Sequence, residues 1–240
     1  KSSPTIVNTV FSKNYGSDYG GGIYNSFGSN PELNDVTFLH NEGFQGGAGM
    51  ANSGSNPKLT NVIFKGNTSP AYGYGGAGIF NQGNSNPEIT NAIFSGNSTG
   101  FKGAGISNED SNPVLTNVTF SGNWSAGPGG AMSNENGSHP IAQNTIVWNN
   151  MAEGVTGTIS ASIKNDSSSA ISIIHSLLEA SGGSSSWALD ASFVNLLGNI
   201  DENPKFVTDI SPAAAPTTTG NLRLQTGSPA IDTGKNDYVS

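Results

Sequence analysis

Tyr15, Tyr19, Phe44, Tyr72, Tyr74, Phe101 and Trp124 place at least one aromatic ring in each of five successive segments of the chain. Rings presented at regular spacing can stack on sugars or anchor a protein partner, because each offers a large apolar face with a polarised edge. If these seven align, they form a ligand-binding strip along one side of the molecule, and if they fold inward they merely cover a corner. Hydrolytic chemistry has less to work with. A glycosidase needs two carboxylates facing one another across about 5 to 9.5 Å, and the adjacent pair Glu109-Asp110 falls in a turn leading to Pro113. His40, His139 and His175 occupy different repeat positions, without metal-ligand spacing.

A polysaccharide lyase would require a basic residue beside several acids. Lys1, Lys13, Lys58, Lys65, Lys102, Lys164, Lys205 and Lys235 are spread along the chain, mostly one to a repeat, and converge on no acidic cluster in the sequence. No catalytic residue is assigned on this basis. No cofactor is expected. Calcium could be held by backbone carbonyls and scattered acids, although a repeated Asp-containing nonapeptide of the calcium-binding type is missing. Nine basic residues against 17 acidic ones give a net charge of −8, with Arg223 the lone arginine. Nucleic acid is therefore an unsuitable partner, since phosphate binding needs clustered Lys or Arg, and so is an anionic membrane surface. No stretch approaches the apolar length of a membrane span. With no cysteine, disulfides and thiolate metal sites are excluded.

The elements that must carry these residues come from a repeat. The phrase Pro-x-Leu-Thr-Asn-x-x-Phe-x-x-Asn, clearest at Pro57–Asn67 and Pro113–Asn123, starts at Pro4, Pro31, Pro57, Pro87, Pro113 and Pro140, with spacings of 27, 26, 30, 26 and 27. A period of this length marks a solenoid whose repeats stack on their neighbours. A second landmark, glycines followed by an apolar residue and then Asn, returns at Ile23, Met50, Ile79, Ile106 and Met132. It follows the first by 9 residues everywhere except in one loop, Thr68 to Tyr74, which is three residues longer. Each repeat contains a proline and several glycines, which cost about 3 and 1 kcal/mol in a helix interior. The spacing therefore predicts an all-β fold, a parallel β-helix with coils of about 26–27 residues and strands about 4.8 Å apart.

Stacking gives most columns a structural task. The Pro+4 column (Asn8, Asp35, Asn61, Asn91, Asn117, Asn144) and the Pro+10 column (Asn14, Asn41, Asn67, Asn97, Asn123, Asn150) suit left-handed bends and amide ladders. Phe11, Phe38, Phe64, Phe94 and Phe120 form a core column. Glu32, Lys58 and Glu88 at Pro+1 alternate in charge, as cross-strand pairs on a solvated face would. Outward Thr60, Thr90 and Thr116 with Val10, Thr37, Ile63, Ile93, Thr119 and Ile146 suggest an ice-binding face, although Asn34 and the mixed Ile and Val make it irregular and β-propensity alone accounts for it. Residues 1–150 are read as regular coils, and 151–240 as degenerate coils plus a closing segment of the same domain. A first motif at Pro4 leaves no room for a cap, so the chain is expected to belong to something longer.

The Phe-x-x-Asn units (Phe38–Asn41, Phe64–Asn67, Phe94–Asn97, Phe120–Asn123), alternating with Gly-Gly-Ala units, resemble repeats of chlamydial polymorphic outer-membrane proteins. A broader likeness is to secreted bacterial right-handed parallel β-helix proteins. It includes the tail phrases Asn199-Ile200-Asp201-Glu202-Asn203-Pro204-Lys205-Phe206-Val207 and Leu222-Arg223-Leu224-Gln225-Thr226-Gly227-Ser228-Pro229-Ala230-Ile231-Asp232-Thr233-Gly234. The resemblance implies right-handed coiling and a secreted or cell-surface location. It also implies a non-catalytic adhesin or structural stalk contacting a host or environmental surface, protein or polysaccharide. A carbohydrate-binding or polysaccharide-active β-helix using the aromatic strip is the alternative, since the scaffold hosts adhesins, lyases and hydrolases alike.

Overall fold

The computed structural model describes residues 2–70, 73–187 and 189–238. Each of the first six coils contributes strands to three parallel sheets, joined by bends that return the chain to the same place one coil further on. The result is a right-handed parallel β-helix. In the first sheet Thr5–Val7, Glu32–Asn34, Lys58–Lys65, Glu88–Ser95 and Val114–Ser121 lie side by side, followed by Ile141–Gln143, Ile171–Ile174 and Phe193–Asn195. The second is built of two-residue strands from Tyr15–Gly16 to Met151–Ala152, and the third of strands from Ile23–Ser26 to Ile163–Asn165.

The stack continues past residue 150. Ile163–Asn165 pairs with Met132–Glu135, and Ile171–Ile174 pairs with Ile141–Gln143. A single helical turn, Ile159–Ser162, capped by the Thr158 hydroxyl, replaces the glycine-rich bend of the earlier coils.

Register is held at equivalent repeat positions, so identical side chains stack. Leu59, Ile89 and Leu115 are partners along the first sheet, as are Phe64, Phe94 and Phe120. The phenylalanine rings stack face to face, with centroids 4.5 Å apart between Phe38 and Phe64 and 4.8 Å between both Phe64 and Phe94 and Phe94 and Phe120. Together with Met50, Ile79, Ile106 and Met132 from the third sheet they fill the interior. Gly49, Gly78 and Gly105 lie against these rings, where a Cβ would collide with a Phe Cδ1.

The bends fall where asparagine and glycine supply positive φ. Asn61, Asn91 and Asn117 all sit at φ 55°, yet the strands that contain them run on through the bend for eight residues. In the three central coils the bend therefore lies inside a continuous strand instead of ending it. The Pro+10 asparagines form a buried ladder: the side-chain oxygen of Asn97 accepts from both the backbone N–H and the Nδ2 of Asn67 at 3.0 Å, and Asn123 does the same for Asn97. A second buried ladder runs from Asn25 through Asn52, Asn81, Asn108 and Asn134 to Asn165 at 2.8–2.9 Å.

Beyond residue 200 the chain turns back along the outside of its own coils. Thr217 donates its N–H to the Gly96 carbonyl, Ile210 is 1% exposed beside Gly122, and Asn149 donates to the Ile210 carbonyl. Strands Phe206–Thr208 and Asn221–Leu224 make a small antiparallel sheet.

Candidate functional site: an aromatic face and an ion triad

The second sheet positions two of the predicted rings. Tyr15, Glu42, Thr68, Ser98 and Trp124 are register partners in successive coils, so Tyr15 and Trp124 share one outward column with three non-aromatic residues between them. A continuous strip does not form. Tyr15 is 63% exposed and Phe44 46%, whereas Phe101 and Trp124 are half-buried. Tyr72 lies outside the described residues.

Tyr19 and Tyr74 instead come together, although they are two coils apart. Tyr74 packs on Phe80 with a centroid separation of 5.2 Å, and Tyr19 lies 5.6 Å from Tyr74, 5.9 Å from Phe80 and 5.9 Å from Tyr24. The backbone explains the convergence. Tyr24, Ala51 and Phe80 are register partners pointing outward from the third sheet, and the small Ala51 between the rings lets Tyr19 reach across to Phe80. The longer loop of the third coil is tied down by Tyr74 N–H to the Gln45 carbonyl and by the Ser107 hydroxyl to the Tyr74 carbonyl. Tyr74 thus lies along the surface instead of projecting from it.

Burial, reinforced by the neighbouring Tyr74, Asp18 and Tyr24, pushes the Tyr19 phenol well above the usual tyrosine range. Phe80 is fully buried beneath, while Tyr24 remains 49% exposed and Tyr74 36%. At the following bend Phe27 is 83% exposed with φ 55°. A bulky residue held at positive φ with its ring in solvent is uncommon and costs conformational energy.

Sequence reasoning missed Tyr24, Phe27 and Phe80. Tyr24 and Phe80 stand next to the inward Ile23 and Ile79, and strand alternation would have sent them outward.

The reading of the lysines also needs correction. Lys102 does converge with acids: its ammonium bonds Glu109 at 2.9 Å and Glu135 at 2.5 Å, with the lysine side chain only 6% exposed. Glu109 ends the strand Ile106–Glu109 and pairs with Glu135 on the next coil, while Asp110 occupies the bend at φ 50°. Burial alone would lower the Lys102 pKa, but the two carboxylates overcome it and hold it above the usual lysine range. Lys102 also lies 5.1 Å from the Phe101 ring centroid, within cation–π range. Its carbonyl accepts from Gly76 of the loop that carries Tyr74. The triad therefore braces the aromatic face.

The letters Gly96-Asn97-Ser98-Thr99-Gly100 spell a Gly-x-Ser-x-Gly pattern, contrary to a reading of the sequence that finds no such elbow. Ser98 starts a parallel strand between Thr68 and Trp124, not the sharp strand-to-helix turn such a nucleophile needs. Among the described residues no three His, Asp or Glu side chains gather in one place. On the first sheet, Asn221–Arg223 stand over Ile63 and Ile93, and Thr116 is buried, accepting from Gln143 at 2.7 Å. The outward Thr/Ile column is thus not an open flat face.

Three stacked parallel sheets with asparagine ladders define a right-handed β-helix repeat protein. Within it, residues 1–108 match the family model for the right-handed β-helix region. No curated protein and no solved structure matches the chain.

Proposed function

We propose that this chain is a non-catalytic, secreted or cell-surface rod that adheres to its target through the aromatic side of its first three coils. The observation that carries the reading is the cluster of Tyr19, Tyr24, Tyr74 and Phe80, flanked by exposed Phe27 and braced by Lys102. Solvent-facing rings over a rigid floor lose little conformational freedom on binding, which favours affinity. The likeness of the Phe-x-x-Asn and Gly-Gly-Ala units to repeats of surface-displayed proteins supports an extracellular location. The partner is a polysaccharide or protein on a host or environmental surface.

The carboxylates Glu109 and Glu135 are held by Lys102, an arrangement suited to support and not to acid–base exchange. An array of surface glycans and extracellular proteins, run beside depolymerisation assays on acidic polysaccharides, tests this. Retention on array members without polymer cleavage is the expected result. Turnover of a polysaccharide would replace adhesion with enzymology.

A further inference from the structure

A cleft of about 510 Å3 lies between the first sheet and the returning C-terminal segment, well separated in the repeat from the aromatic face. Its polar character follows from an interrupted ladder. Along the exposed Pro+4 column each amide donates to its predecessor: Asn61 to Asp35 at 3.1 Å, Asn91 to Asn61 at 3.1 Å and Asn117 to Asn91 at 3.0 Å. Asp35 can only accept, and this fixes the direction of the whole row. The next member, Asn144, leaves the row: its Nδ2 donates to the Lys235 carbonyl at 3.0 Å and its Oδ1 accepts the Lys235 N–H at 2.9 Å. Asn117 Oδ1 is therefore left at the cleft as a terminal acceptor, with no donor among the described residues.

Asp232, held at φ 59°, lines the cleft from the C-terminal segment, while half-buried Ile146 supplies apolar surface from the sheet. His175 also lines it, its ring pressed against Gly198, where a Cβ would strike Nδ1. A ligand that matches must donate hydrogen bonds on one side and present C–H groups on the other. A volume of this size falls in the range of small-molecule sites.

We infer that this cleft binds one neutral hexopyranose unit, with hydroxyls donating to Asn117 Oδ1 and Asp232 and its C–H face on Ile146. An acidic sugar would be repelled by Asp232 and by the net charge of −8. A simple alkylammonium would leave the apolar surface uncovered. The site is independent of the aromatic face and of the adhesive role proposed for it.

The test is a titration of the full, 15N-labelled chain with the methyl pyranosides of glucose, galactose and mannose. Saturable amide shifts confined to residues 116–118, 144–146, 175–177 and 230–234 are expected for at least one sugar. Asp232→Asn should weaken that Kd about tenfold, as loss of a hydrogen bond to a charged group does, while Tyr74→Ala leaves it unchanged. Absence of saturable shifts, shifts centred on Tyr19 and Tyr74, unchanged affinity in Asp232→Asn, or equal response to methylammonium would each overturn the inference.

Discussion

At the scale of single residues, the buried amides and one buried cation set the energetics. Asn97 accepts two hydrogen bonds from Asn67 and donates to the Phe64 carbonyl and to Asn123. Asn97→Asp keeps the shape but aims a carboxylate oxygen at two acceptors. We expect a loss of about 3 kcal/mol at neutral pH, shrinking on acidification as the new acid takes up a proton, measurable by urea denaturation across pH. Lys102→Met strands two carboxylates and should cost about 3 kcal/mol, with Tyr fluorescence reporting a loosened aromatic face.

Glu179 provides a pH-dependent test. Burial, opposed by an N–H bond from Asn149 and reinforced by the charge of Asp201, raises its pKa. The folded state therefore binds this proton more tightly than the unfolded chain. The penalty is absent below the ordinary glutamate pKa and complete above the raised one. Glu179→Gln should raise Tm at neutral pH and leave it unchanged in acid, and equal shifts at both would contradict the assignment. The ladder asparagines were legible in the sequence because a repeat writes them as a column. Lys102, Glu109 and Glu135 were not, since the lysine sits at a repeat position different from that of the two glutamates, and only the path of the loops brings them together.

The elements show the same division. The order of strands, the inward Phe and Ile columns and the bends follow directly from the repeat, because parallel stacking at constant register converts periodicity into contact. The glycines of Gly66, Gly96 and Gly122 were visible too, but their partner was not. They stand where Lys13 and His40 stand in the first two coils, and the returning segment, Ile210 to Thr218, lies against them. Nothing in the 26-residue period connects that segment to the glycines. Gly122→Ala combines φ 69° with a collision against Ile210, so we expect destabilisation of about 2 kcal/mol. Limited proteolysis should show faster cleavage between residues 211 and 220, and Ile210→Ala in the same chain should restore part of the loss. Unchanged proteolysis would show that the segment is held elsewhere.

For the whole molecule, stacked coils about 4.8 Å apart make a stiff rod whose long sides, not its interior, are available for binding. The aromatic residues singled out in the sequence do not form one strip in the structure. Tyr19 and Tyr74 meet over Phe80, while Tyr15 and Trp124 are separated by three coils of the second sheet. The cause is the longer third loop together with small Ala51, a combination that loop length alone does not reveal. The central claim is that this aromatic side carries adhesion. The most direct measurement is equilibrium binding of the wild type and a Tyr24→Ser/Phe27→Ser/Tyr74→Ser chain to the surface component retained on the array, with matched Tm values. The account predicts at least about a hundredfold loss of affinity, as removal of several anchoring rings produces. Binding within about twofold of wild type, barely 0.4 kcal/mol, would contradict it.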